Sequence, residues 1–142
     1  MRRGPVIMLI LVGPFVSMWG CSEINEASLP ERPTTADVQE HVFTTACATS
    51  GCHGEPTFAG ELDLSTAASS HEALVDIKPT NPVARNLGLI RVVPGDPDSS
   101  FLFRKLTEPG TGEGAPMPSS ETRLTAPYVE LVARWISQGA VP

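Results

Sequence analysis

CATSGCHG, residues Cys47 to Gly54, places two cysteines and a histidine within seven positions, with Gly51 and Gly54 beside them. Three chemistries compete for such a cluster. A secreted domain can close Cys47 to Cys52 as a small disulfide loop and leave His53 idle on the surface. Zinc can take Cys47, Cys52 and either His41 or His53, although no second cysteine pair exists and adjacent ligands crowd a tetrahedral site. Cysteine followed directly by histidine is also the arrangement for covalent haem attachment, in which thiols add across the porphyrin vinyl groups and the imidazole reaches the iron. The usual spacing leaves two residues between the cysteines, whereas Ala48, Thr49, Ser50 and Gly51 intervene here. The vinyl positions are fixed, so the additional residues must loop outward while Cys47 and Cys52 stay close. Small residues with a glycine among them permit that. The Cys52–His53 step is unaltered, and haem attachment is the leading reading, with the disulfide and zinc readings open beside it.

Haem iron held by histidine needs a sixth ligand if it is to carry electrons without binding substrates. Once the N-terminal segment is set aside, the remaining methionine is Met117, in GAPMP. Pro116 fixes the backbone before it, and Pro118 drives Met117 itself toward extended geometry. A thioether on a stiff strut in a glycine-rich loop is well suited to face a flat ligand. A methionine filling a core gap is the ordinary alternative. His41 and His71 are the other possible sixth ligands, and read more naturally as helix-surface residues.

Outward from the cluster, the pattern is helical. Thr34 or Thr35 can cap a helix over 36–46, with Asp37 in its first turn and Val38, Val42 and Phe43 on its inner face. Residues 54–61, with Gly54, Pro56 and Gly60, are expected to be loop. Leu62 and Leu64 then turn inward before a helix over 66–76 capped by Ser65. Residues 76–93 read as irregular, punctuated by Pro79, Asn81-Pro82 and Gly88. Asp96-Pro97 reads as a cap with proline at the first position of a helix over 97–107, which turns Leu102, Phe103 and Leu106 inward. Residues 108–121 hold too many prolines and glycines for a helix or central strand. Thr125 caps a last helix over 126–138, striped by Val129, Val132 and Ile136 beside Leu131 and Trp135, and Gly139 stands at its stop. Four helices and no convincing strand predict one all-α domain over 36–142. Its six aromatic residues, Phe43, Phe58, Phe101, Phe103, Tyr128 and Trp135, are a thin core, which a bound cofactor would complete.

The first twenty residues stand apart. Arg2 and Arg3 precede an uncharged apolar run, Val6 to Trp19, which fits a secretory signal and is short of the roughly 20 apolar residues of a bilayer span. MWGC, Met18 to Cys21, resembles a bacterial lipobox, so residues 1–20 are expected to be removed and Cys21 to carry lipid. Residues 21–35 then form a lipidated N-terminus and a polar tether, whose 15 residues from Ser22 to Ala36 span at most about 50 Å. The whole chain has 10 basic and 16 acidic residues, and loss of the two arginines makes the balance −8. That charge disfavours nucleic acid and favours a partner with a basic docking face.

The attachment motif, GELDLS at Gly60 to Ser65, VVPGDPDSSFLFRKL at Val92 to Leu106, APMP at Ala115 to Pro118 and RWISQGA at Arg134 to Ala140 together resemble small single-haem c-type cytochrome-like bacterial lipoproteins. The resemblance covers nearly all of 36–142 and rests on the ordered set of motifs. It implies an all-α, cytochrome c-like fold of about four helices around one covalent haem c, first and last helices crossing, with Trp135 packed near Phe43. It implies Cys47 and Cys52 as thioether anchors, His53 as proximal ligand and Met117 as distal ligand of the iron. The glycine-proline pair common after the haem motif is missing here. The expected role is one-electron transfer rather than catalysis, in the cell envelope of a Gram-negative-type bacterium, periplasmic or surface-exposed and held to the membrane through Cys21. A five-coordinate haem sensor or peroxidase, and a haem-free lipoprotein with a Cys47–Cys52 disulfide acting as an interaction module, are the alternatives.

Overall fold

A computed structural model describes residues 29–119 and 123–142. The expected signal segment, the lipid site at Cys21 and the tether as far as residue 28 lie outside the described residues. Helix α1, Thr35–Val38, begins at Thr34, whose hydroxyl accepts from the Asp37 amide while the Asp37 carboxylate accepts from the Thr34 amide. This reciprocal cap satisfies two donors that the first turn cannot. The chain continues without a break into a π-helix, Gln39–Cys47. Its wider turn puts residues five apart on one line, and Gln39 Nε2 accordingly donates to Thr44 Oγ1 at 3.0 Å. The same amide reaches the Leu64 carbonyl at 2.8 Å and accepts from Ser70 Oγ at 2.7 Å, so a buried glutamine is fully paired and ties the π-helix to the next one.

Helix α2, Ala67–Leu74, is capped by Thr66 with Ser69 in a second reciprocal box, one residue later than the expected Ser65 cap. Ser65 is occupied elsewhere, its amide donating to Asp63. The stretch 76–93 is not wholly irregular. Asn81 caps a short helix α3, Pro82–Asn86, its side chain accepting from the Ala84 amide at 2.9 Å with proline at the first position. The similar pair Asp96-Pro97 opens a turn instead. Asp96 Oδ1 accepts from the Ser99 amide, Ser100 Oγ donates to the Asp96 carbonyl, and helix α4 starts only at Phe101 and runs to Leu106. On α4, Phe101 and Leu106 are buried, while Leu102 and Phe103 are half-buried. Helix α5, Ala126–Ser137, stops one residue before the Gln138 cap, and Gly139 follows at φ +100°. Thr125 stands at the cap position, but its side chain makes no cap bond there.

The described residues are thus helical, with isolated bridge pairs such as Val75 with Val92 but no extended strand. Residues 90–93 thread between the end of α2 and the start of α4. Val92 N donates to Leu74 O, Arg91 N to Ile77 O, and Leu102 N to Arg91 O.

The core joins the first helical rod to the last. Val38, Val42 and Phe43 meet Leu131, Val132, Trp135 and Ile136, with Leu64, Leu74, Val92 and Leu106 closing the cluster. Phe43 and Trp135 lie edge to face, centroids 6.3 Å apart at 83°, a geometry that adds about 0.5–1.5 kcal/mol to the burial itself. The chain ends are fastened at the same place. The Val141 carbonyl accepts from Thr35 N, Thr35 Oγ1 and Trp135 Nε1 at 2.9, 2.9 and 3.0 Å. The folded unit also reaches further back than the expected boundary at residue 36. Leu29 packs on the core, Pro33 is buried, and the Pro30 and Glu31 carbonyls accept from Arg134 and Gln138 of the α5 end.

Two substitutions separate these contributions in urea denaturation. Trp135→Ala is expected to cost about 3–5 kcal/mol through the cavity it opens. Thr35→Val, which removes one of three donors to Val141, is expected to cost about 0.5–1.5 kcal/mol.

Candidate cofactor site

Cys47 is the last residue of the π-helix, where the Ala48 amide still donates to Phe43 O at 2.7 Å, five residues back. The chain then turns on itself. Cys52 N donates to Thr49 O, and His53 N donates to Cys47 O, both at 3.0 Å. The four intervening residues are therefore an outward loop whose base is a single backbone hydrogen bond. Two glycines make it possible for different reasons. Gly51 adopts φ +88° with open space around it, whereas at Gly54 a Cβ would lie 2.3 Å from the Ala48 carbonyl oxygen. Both thiols are free and half-buried. Burial, aided by nearby Cys52, pushes the Cys47 thiol up to about 12. It rests as a neutral thiol.

His53 is oriented by the segment that follows it. Its Nδ1 stands 2.8 Å from the Ala59 carbonyl oxygen, an acceptor only, so Nδ1 carries the hydrogen and Nε2 keeps its lone pair. That carbonyl lies three residues beyond Pro56 and was not identified from the sequence. The 54–59 turn presents it through Thr57 and Phe58 amides donating to Gly54 O and Ala59 N donating to Cys52 O. Burial holds the imidazole below its ordinary range, reinforced by Arg91 and Lys105 and only partly opposed by the Ala59 bond. A neutral imidazole with a fixed tautomer is a competent metal ligand.

Met117 is held by α4. Its amide donates to Lys105 O at 2.6 Å, while the Lys105 ammonium donates to the carbonyls of Glu113 and Ala115. Arg104 completes the clamp, Nε and Nη2 donating to the two Glu113 carboxylate oxygens at 3.2 and 2.5 Å, and Gly110 N donates to Oε2 at 2.8 Å. Burial works against the Glu113 charge, but Gly110, Arg104 and Lys105 outweigh it and hold the carboxyl below its usual range. Sequence reading had placed Met117 on a stiff loop without finding this clamp. Glu113, the buried acid of the glycine-rich 110–114 stretch, was its available signal.

Cys47, His53 and Met117 come together on the wall of one cavity of about 330 Å³, within the roughly 300–1,000 Å³ typical of ligand pockets. Leu62, Leu64, Leu74, Leu102 and Leu106 make most of the remaining wall apolar. Cys52 is not among the lining side chains; it follows the outward loop and adjoins the cavity through His53. His41 and His71 also lie off this wall, and His71 Nε2 is engaged with the Ala140 carbonyl at 3.0 Å. Among the described residues no cluster of three or more His, Cys, Asp or Glu side chains is arranged to hold a metal ion, which leaves the zinc reading without a ligand set. An apolar cleft bearing a thiol, an oriented imidazole nitrogen and a thioether does fit a flat iron porphyrin. Among the described residues, no helix is long and apolar enough to cross a membrane. Compared with known protein families, curated proteins and solved structures, the chain matches none.

The two glycines should respond differently to alanine. Gly54→Ala is expected to cost about 3 kcal/mol because a backbone oxygen must move. Gly51→Ala, strained by φ alone, should cost about 1–2 kcal/mol; equal losses in denaturation would show that the Gly54 approach does not matter. Glu113 predicts a pH dependence. Its folded value lies below its unfolded one, so its contribution is complete above about pH 4.3 and disappears as pH falls through the folded value. Glu113→Gln should cost about 1–3 kcal/mol at neutral pH and flatten the acid limb of the stability profile.

Proposed function

We propose that the protein is a single-haem electron carrier of the c-type cytochrome class, an all-α domain of four principal helices wrapped around one covalently attached haem c. The observation that carries this reading is the meeting of Cys47, His53 and Met117 on one apolar cavity, with His53 Nδ1 committed to Ala59 and its Nε2 left to bind. In this reading Cys47 and Cys52 anchor the cofactor as thioethers, His53 ligates the iron on the proximal side, and Met117 ligates it on the distal side. When bound, haem supplies a one-electron ferric–ferrous couple, and a thioether ligand favours the ferrous state.

The chain's own contribution is positional. The Ala59 carbonyl keeps the imidazole tautomer and raises its basicity as a ligand. Arg104, Lys105 and Glu113 hold the loop that carries Met117. With His53 and Met117 both on the iron, no position would be left for a substrate, and the protein would be a carrier and not an enzyme. A cofactor seated on the apolar wall would be shielded from water on that side. The net acidic chain favours a redox partner with a basic docking face, not nucleic acid. Lipid on Cys21, after loss of residues 1–20, would hold it at a membrane surface in the cell envelope, as a periplasmic or surface-exposed lipoprotein.

Haem staining of the exported protein on denaturing gels, with spectra of both redox states, tests the reading directly. Covalent haem and a hexacoordinate ferrous spectrum are expected. A colourless protein with Cys47 bonded to Cys52 would make it a haem-free interaction module, and rapid carbon monoxide binding by the reduced wild type would make it a five-coordinate sensor or peroxidase. Met117→Ala should abolish the sulfur-to-iron charge-transfer band and open the reduced protein to carbon monoxide.

A further inference from the structure

The chain carries 16 acidic residues against 10 basic ones, yet the cavity wall reverses that balance. It presents Arg91 and Lys105 with a single acid, Glu113, whose carboxylate is committed to Arg104. Arg91 is 7% exposed, and among the described residues neither Arg91 nor Lys105 has a carboxylate within ion-pair distance. Their partners are backbone oxygens. Arg91 Nη1 donates to Ala73 O at 2.8 Å, Nη2 donates to Gly60 O at 2.7 Å, and both reach Glu61 O at 3.3–3.4 Å. Lys105 Nζ donates to the Glu113 and Ala115 carbonyls. Lys105 has the Glu113 charge near it, whereas carbonyl dipoles give Arg91 no counter-charge, and its two bonds to Glu61 O, at 3.3–3.4 Å, are long enough to yield to a stronger acceptor. Burial lowers the pKa of both groups, more than the acids nearest them, Glu61 for Arg91 and Glu113 for Lys105, raise it. A buried cation of this kind is costly unless an anion meets it.

We infer that the cavity takes a ligand joining an apolar body to a carboxylate, and that Arg91, seconded by Lys105, is the carboxylate's partner. Arg91 is fixed for that task by the thread of residues 90–93 between α2 and α4, whose backbone bonds hold it on both sides. The guanidinium bridges Gly60 and Ala73, so the cation also staples the loop after the attachment motif to the end of α2. In the electron-carrier reading, on which this assignment builds, the carboxylate is a haem propionate. If that reading fails, the same chemistry describes a fatty acid.

The colour of the exported full-length protein decides which arm applies, and so tests the electron-carrier reading separately. In the haem-bearing protein, the propionate bending band in the resonance Raman spectrum is expected to shift in Arg91→Gln and to return toward wild type in Arg91→Lys. An unmoved band in both variants would overturn the assignment. In a colourless protein, calorimetric titration should show oleate binding that methyl oleate does not reproduce, weakened about tenfold or more by Arg91→Gln, the loss expected for one charge-assisted hydrogen bond. No oleate binding, or equal binding of the ester, would overturn it. If Arg91→Gln fails to fold, Arg91→Met, which keeps the length and drops the charge, replaces it with the same expected shift, and in a colourless protein the comparison of oleate with methyl oleate on the wild type decides by itself.

Discussion

A single backbone hydrogen bond, His53 N–H to the Cys47 carbonyl, closes the loop around which the domain is organised. It brings the last residue of a π-helix and an imidazole side by side despite four residues between the cysteines. The closure is possible because Gly54 has no Cβ to meet the Ala48 carbonyl. From it run the two bonds that fix the wall of the cavity, Ala59 N to Cys52 O and Leu64 N to His53 O. The first presents the carbonyl that orients the imidazole. The second carries the chain to Leu64 and the buried Gln39 network.

The part of the wall that carries Met117 is built by different physics. Helix α4 is only six residues long, too short to be stable by itself, yet its last turn holds a loop of prolines and glycines through side-chain charge. Arg104 takes the Glu113 carboxylate and Lys105 takes the neighbouring carbonyls, while the Lys105 backbone takes the Met117 amide. One wall is therefore set by close backbone packing and the other by an ion pair with its surrounding dipoles. Acid acts on the second through the Glu113 carboxylate.

The apolar stripes were legible in the sequence because a helix buried on one face repeats its large residues at fixed intervals. Val38, Val42 and Phe43, and Leu131, Val132, Trp135 and Ile136, are buried as their spacing implied. Val129 is only half-buried and is not part of the core cluster. The cap signals were less readable. Asn81-Pro82 starts a helix and Asp96-Pro97 a turn, although in both the side chain takes the amide three residues on; the difference lies at the cap carbonyl, which accepts from the Arg85 amide in the first and from the Ser100 hydroxyl in the second. The site was legible as residue types, and the structure gathers Cys47, His53 and Met117. Its supports were not, because the Ala59 carbonyl carries no side-chain signature and the partners of Arg91 and Lys105 are backbone oxygens that any residue could supply.

The three donors gathered on the Val141 carbonyl have a mechanical meaning. Any pull on the chain ahead of Leu29 is received first by the contacts of Pro30 and Glu31 with α5 and then by Thr35 at that oxygen, close to the chain's own C-terminal end. The load is borne in shear between the first and last helices, well before it could reach Cys47. A domain fastened in this way can be tugged by its leading segment without straining the loop from Cys47 to His53.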